Sequence, residues 1–200
     1  ERVWTRGAGL GPRIDGPWRE VIDAPDAAIG RLPDGVPMAL GSAFFSPSTS
    51  AWVALHEVAK VRAGERVLIS GASGAVGSLA MQLARDAGAE AMAVQPGDSA
   101  AGPKADVLID TVGGAVLAAA LERVEAGGRA VLVGYTAGNG LAIDIARFLQ
   151  RDVTLLPLNM FRRDAAGRAA APELLARLAH GRLRLQVTPF PLAEAARAMQ

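Results

Sequence analysis

Two rhythms of apolar positions alternate along the chain. Short unbroken apolar runs suit strands covered on both faces, and runs spaced by three and four suit helices. The sharpest succession is Arg66 to Arg85. Val67-Leu68-Ile69 predicts a buried strand, and Gly71 to Gly77 a turn. Val76, Leu79, Ala80, Leu83, Ala84 and Ala87 then fall on one helical stripe, which Gly88 ends. Further strands are expected at 89–95, 104–110, 129–134 and 153–158, and further helices at 115–124, 144–150 and 172–180. Gly127-Gly128 reads as the turn before the third of these strands, and Gly181 as the stop of the last helix. Strands alternating with helices predict an α/β fold with a doubly wound parallel sheet.

The first part of the chain follows neither rhythm clearly. Residues 1–40 are rich in Gly and Pro, with short apolar pieces at Arg2-Val3-Trp4 and Glu20-Val21-Ile22 that could be strands. Two such strands cannot bury a face alone and need a larger sheet. From Ala39 to Lys60 the pattern is helical, and Ser48 or Ser50 is the expected N-cap. His56 lies in this helix as a surface or packing residue, and His180 at a helix C-terminus as a cap.

Composition narrows the chemistry. The 200 residues carry a net charge of +1, so no long-range field points to nucleic acid or an anionic membrane. Cysteine is absent, which removes disulfides, thiolate catalysis and cysteine-ligated zinc, and no metal site is expected. A reducing cytoplasm is the expected compartment. No apolar stretch is long enough for a membrane span.

The chemistry suited to the strand–turn–helix unit is anion binding. Free N–H groups at a helix start carry partial positive charge, and glycines let a pyrophosphate approach closely. The spacing is G-x-x-G-x-x-G, with Gly71, Gly74 and Gly77 around Ala72, Ser73, Ala75 and Val76. It differs by one place from the common dinucleotide fingerprint, so the flanking strand and helix carry the weight. About twenty residues on, where a carboxylate often meets the ribose 2′-hydroxyl, the strand ends in Gln95-Pro96. Without a carboxylate there, the reading leans to NADPH, with NADH not excluded. Asp98 lies nearby, no arginine follows, and Lys104 is the local cation.

With these pieces in order, Val3 to Met199 resembles the medium-chain dehydrogenase/reductase superfamily, in its zinc-free quinone oxidoreductase and enoyl reductase branch. Four stretches carry the resemblance: Ser48-Thr49-Ser50-Ala51-Trp52; Glu57 to Lys60 with Gly64 to Gly77; Asp106 to Gly114 with Gly127 to Gly134; and Pro191-Leu192-Ala193-Glu194-Ala195. The resemblance implies a nicotinamide cofactor across the carboxyl ends of a Rossmann-like sheet, and hydride transfer to a quinone or activated alkene as small-molecule substrate. It also implies that Ser50 and Ser73 add hydroxyl donors, while Val112, Gly134, Tyr135 and Thr136 lie along the ribose and nicotinamide. No residue is assigned a catalytic role.

Two departures from the family shape the expected architecture. Its β-rich catalytic domain is represented by residues 1–38 and a return segment at 182–200, around a cofactor-binding domain at 39–181. That organisation suits a fragment of a longer, multidomain chain. Between Gln95 and Asp106 the family's helix–strand–helix is missing, and ten residues remain. At ~3.3 Å each they still reach about 33 Å, enough to cross a sheet end. About five strands are expected, with 89–95 at an edge and the adenine side trimmed. The alternative function is a degenerate, non-catalytic domain that docks or stiffens a larger enzyme. A short-chain reductase would need Tyr-x-x-x-Lys, and Tyr135 has Asn139 four residues later. A homodimer through strand 153–158 is a further expectation; Pro157 there is compatible with an edge.

Overall fold

Residues whose side chains are apolar on both faces form the middle of the sheet. A computed structural model describes residues 1–16, 18–95, 98 and 102–198. Strands β3 (Arg66–Ile69), β4 (Glu90–Ala93), β5 (Ala105–Asp110), β6 (Val124–Leu132) and β7 (Thr154–Pro157) make one parallel sheet in the order β4-β3-β5-β6-β7. The β3 core residues Val67, Leu68 and Ile69 and the β5 residues Val107, Leu108 and Ile109 are fully buried. β4 and β7, half-buried, lie at the edges.

Strand alternation sends the two faces to different helices. Leu68, Leu108 and Ala130 share a cluster with Leu117, Ala120 and Leu121 of α4 (Gly114–Leu121). Phe148 of α5 (Ile145–Arg151) packs on the same cluster. Val67, Ile69, Val107 and Ile109 point to the opposite face, where α3 (Ala75–Asp86) lies against β3 and β4, and a π-helical segment, Val53–Ala59, against β5 and β6. This is the doubly wound α/β arrangement that the alternation predicts. Burying these faces is its main stabilising term, at about 1.5–3 kcal/mol per large side chain.

The chain divides into two units, residues 46–174, which hold this sheet, and residues 1–45 with 175–200. The second unit contains β1 (Val3–Thr5) paired antiparallel with β2 (Ile29–Arg31). Trp4 covers the backbone of Gly30, where a Cβ would lie 2.1 Å from its ring, and meets Phe44 edge-on at 5.6 Å. The Arg2 guanidinium donates to the carbonyls of Pro33, Asp34 and Val36.

Several boundaries differ from expectation, each for a physical reason. The segment Glu20-Val21-Ile22 is not a strand, and Val21 is exposed; β1 takes Ile29–Arg31 as its partner. Ser48 and Ser50 are not caps but lie inside α2 (Phe45–Trp52), because helix begins upstream with α1 (Met38–Ala43). α4 ends at Leu121, and Val124 already pairs with Ala105. The register between β5 and β6 then jumps, with Val107 opposite Arg129. Gly127, at φ 77°, belongs to this excursion within β6 rather than to a turn before it. α6 (Asp164–Ala179) starts well before Pro172, which it carries internally; a proline read as a first helical residue places the start too late. Asp164 and Arg168 pair one turn apart at 2.7 Å in its opening turns.

Candidate nucleotide-binding groove

The strand order reverses between β3 and β5, because the chain goes from β3 outward to β4 and returns past β3 to β5. A crevice opens outside the carboxyl ends at such a point. Here it is a groove of about 800 Å³, lined by Gly71, Ala72 and Ser73 after β3, Ala93, Val94, Gln95 and Asp98 at and after β4, Val112 after β5, and Ala115, Val116 and Ala119 of α4. Its lining is mostly apolar, with a few polar groups at the strand ends, as a nucleotide base and sugar require.

The glycine turn is tied down by close approaches. Gly71 adopts φ 63°, and a Cβ there would lie 2.3 Å from Thr111 Oγ1. A Cβ on Gly77 would lie 2.1 Å from the Gly71 carbonyl oxygen, so the first turn of α3 sits directly on the loop. Gly74 precedes the helix with an extended backbone, and its N–H donates to Gly71 O at 2.9 Å. Ser78 is the first helical residue here to donate back, to Gly74 O. Ala75, Val76 and Gly77 therefore keep backbone donors with no carbonyl partner among the described residues, as the start of a helix must. These donors suit an oxyanion.

A buried polar cluster holds the neighbouring loop. Asp110 Oδ1 accepts from Ser70 Oγ at 2.5 Å, and Oδ2 from Gly113 N at 2.8 Å. Thr111 N donates to Ser70 Oγ, and Thr111 Oγ1 to Ser70 O, both at 2.9 Å. The Asp110 carbonyl accepts from Val133 N and Gly134 N. Burial pushes the Asp110 carboxyl above the ordinary carboxylate range, while the Ser70 hydroxyl and the backbone donors pull it back. Asp110, Ser70 and Thr111 thus join the ends of β3, β5 and β6. The expected site residues did not include them, although a Ser before the glycine turn and an Asp-Thr before Val112 were visible signals.

At the far end, Asp98 Oδ2 accepts from Gln95 N at 2.9 Å and from Arg123 at 2.7 Å. The Gln95 N–H first, and then the Arg123 guanidinium, hold this carboxyl below its usual range. Arg123 is almost completely buried and also donates to Pro103 O. The expectation of Lys104 as the local cation is corrected here: Lys104 Nζ donates to Glu122 O, and an arginine 25 positions from Asp98 takes the place. Such a distant partner has no local signal in sequence.

Gly71, Ser73, Gln95 and Val112 are brought together along the groove. Gly74, Ala75, Val76 and Gly77 form the adjoining loop and helix start. Gly134 packs on the Thr111 backbone, a Cβ there lying 2.3 Å from Thr111 O, and Ala137 N donates to Val112 O. Tyr135 has an exposed side chain and Thr136 an exposed position, and neither lines the groove. Ser50 is half-buried within α2 and does not line it either. The His56 ring packs against Trp52, tilted by 47° with ring centroids 5.0 Å apart. His180 Nδ1 lies 2.6 Å from Ala176 O, within its own helix. Among the described residues no group of three or more His, Cys, Asp or Glu is placed to hold a metal, and no helix is long and apolar enough to cross a membrane.

A doubly wound sheet with a glycine turn at its switch point defines a Rossmann-like dinucleotide-binding fold. Residues 80–200 match the family model described as zinc-binding dehydrogenase. The chain belongs to this family, within the medium-chain dehydrogenase/reductase superfamily. It is 28% identical to a mycocerosic acid synthase-like polyketide synthase of Mycobacterium tuberculosis, over all of this chain and 11% of that protein. The chain thus spans about a tenth of the length of that relative. Among solved structures, a quinone oxidoreductase of Pseudomonas syringae has a TM-score of 0.79 and 25% identity, over 92% of this chain and 66% of that one. The quinone oxidoreductase of Thermus thermophilus, whose structures include a complex with NADPH, has a TM-score of 0.74 and 28% identity, over 92% and 69%.

Proposed function

We propose that this chain is the nucleotide-binding part of a reductase that transfers hydride from a reduced nicotinamide dinucleotide to an activated alkene, such as an enoyl thioester, or to a quinone. The observation that carries the reading is the groove at the carboxyl ends of β3, β4 and β5, which runs into a loop whose following helix start keeps unpaired N–H donors. A bound nicotinamide would supply the hydride. The backbone donors of Ala75, Val76 and Gly77, with the Ser73 hydroxyl, would hold the pyrophosphate. The apolar walls from Val94, Val112 and Val116 would exclude water from the adenosine side. Gly134, Tyr135 and Thr136, in the loop after β6, are the chain's candidates for flanking the nicotinamide end, with Ser50 as a further hydroxyl.

The enoyl thioester is favoured as acceptor by the polyketide synthase relative, and the quinone by the two quinone oxidoreductases. NADPH, towards which Gln95 leans the sequence, has the support of the Thermus enzyme solved with it. A second reading, a non-catalytic docking element of a larger synthase, is favoured by the small share of the synthase that this chain matches. In that setting the parent multidomain chain is the partner, and a homodimer through the β7 edge is the competing arrangement.

Calorimetric titration with NADPH and NADH decides between the two readings. Micromolar binding of either, followed by loss of reduced-nicotinamide absorbance on adding a crotonyl thioester or a benzoquinone, supports the reductase. A folded chain that binds neither nucleotide leaves the docking element as the better reading.

A further inference from the structure

Asp110 is the one fully buried carboxylate among the described residues, and it lies beside the glycine turn. Its oxygens meet neutral donors, the Ser70 hydroxyl at 2.5 Å and Gly113 N at 2.8 Å. Ser70 runs directly into Gly71. Gly71 in turn sits on the two residues after Asp110, a Cβ there lying 2.3 Å from Thr111 Oγ1 and 2.9 Å from Val112 Cγ2. The carboxyl, the turn and the groove wall at Val112 are therefore packed as one unit. Burial already holds the carboxyl above the ordinary carboxylate range, against the pull of the Ser70, Gly113 and Val112 donors.

Among the described residues no charged group pairs with it from the elements around it. Arg66 on β3, Asp106 on β5 and Arg129 on β6 lie three or four residues back along their strands, ~10 Å or more away. Arg66 pairs there with Asp106 and Glu125, and Arg129 with Glu65. α4 has no titratable residue, and α3 has none before Arg85 in its last turn. Arg147 and Arg151 of α5 pair with Glu122. In the π-helical segment His56 lies against Trp52 and Glu57 is exposed, as is Tyr135 in the loop after β6.

The cluster also has a place for a proton. A hydroxyl both donates and accepts, so the bond between Ser70 Oγ and Asp110 Oδ1 can reverse, the acid donating, while Oδ2 still accepts from Gly113 N. Neither loop has to move. We infer that a dinucleotide binding at the glycine turn draws a proton onto Asp110. This rests on the nucleotide reading given above. The pyrophosphate is anionic, and a second negative charge beside a buried carboxylate that has no cation raises the cost of keeping that carboxylate ionised. A proton from the solvent removes the cost and leaves again with the nucleotide. Affinity therefore rises as pH falls through the range in which Asp110 titrates, by at most about tenfold per pH unit for one proton. Asp110 acts here through its charge and not as a catalytic residue.

The test is calorimetric titration of the 200-residue chain with NADH, in phosphate and in Tris, over about pH 5.5 to 9. NADH is the probe because the extra phosphate of NADPH itself titrates in this range. The difference in heat between the two buffers counts the protons exchanged. Uptake should reach about a third of a proton or more per NADH at its maximum, with binding tightening as pH falls. The Asp110→Asn side chain has the shape and the bonds of the neutral carboxyl. Uptake should vanish in it, and NADH should bind about threefold tighter or more at the alkaline end. If that variant does not fold, carbon NMR of the unaltered chain, labelled in its aspartate carboxyls, decides: one resonance should titrate at higher pH with NADH than without. Proton release, smaller uptake at every pH, or no shifted resonance overturns the inference and leaves the nucleotide reading intact. Uptake that persists in the folded variant, or looser binding by it at the alkaline end, does the same. A folded chain that binds no NADH removes both the nucleotide reading and this inference.

Discussion

Ser70 Oγ donates to Asp110 Oδ1 over 2.5 Å and accepts from Thr111 N at 2.9 Å, so one buried hydroxyl links the carboxyl ends of β3 and β5. These are the two strands between which the groove opens. In Ser70→Ala a buried carboxylate loses a donor and a backbone N–H loses its acceptor. The expected cost is about 1–3 kcal/mol. Urea unfolding should show it as a lower midpoint with the slope unchanged; an unshifted midpoint would mean that water replaces the hydroxyl.

Gly74→Asp should separate binding from stability. Gly74 has φ −78° and ψ 168°, a conformation open to any residue, and it sits at the N-cap of α3 without a side-chain cap. Aspartate is a favoured cap and suits the helix dipole, which offsets the 3.3 Å approach of its Cβ to the Gly71 carbonyl oxygen, so the melting temperature should change little. The same carboxylate would occupy the oxyanion position, and nucleotide affinity should fall about a hundredfold or more. Unchanged affinity in calorimetry would sink the assignment of this loop.

Gly77→Ala should do the reverse. Its Cβ would lie 2.1 Å from the Gly71 carbonyl, a backbone atom held in the turn. Relief requires α3 to move off the loop, at a cost of about 1–3 kcal/mol. Thermal unfolding should fall, with nucleotide affinity falling only as far as the loop is displaced. Wild-type stability would show that the loop gives way easily.

Stability should pass through a maximum on the acidic side of neutrality. Glu65, Asp98 and Asp106 are held below their ordinary ranges, first by the Arg129, Gln95 N–H and Arg66 N–H bonds respectively. Their contribution is complete above an unfolded value of about 4 and is lost as pH falls through the folded values. Asp110 runs the other way: its folded value is raised, so its penalty is full above that value and fades as pH falls towards about 4. The melting temperature should therefore rise as pH falls from neutrality through the raised Asp110 value, and should fall again below about pH 4. In Asp110→Asn the rise should vanish; its persistence would place the titration elsewhere.

Local chemistry made much of this protein legible from its residues alone. Val67-Leu68-Ile69 and Val107-Leu108-Ile109 could only be buried on both faces, the stripe from Val76 to Ala84 required a helix, and the short link after Gln95 left β4 at an edge. The glycine turn was legible for the same reason, because strand, turn and helix follow one another within twenty residues. What depends on distant neighbours was not. Glu20-Val21-Ile22 looks as much like a strand as Ile29-Gly30-Arg31, and only pairing with Val3–Thr5 selects the second. Pro172 looks like a helix start until the preceding turns are seen to continue through it. The ties from Ser70 to Asp110 and from Asp98 to Arg123 join residues 40 and 25 positions apart. Periodicity and capping act over a few residues and can be read in order along a chain; burial of a charge beside its partner exists only once the sheet has brought the two together.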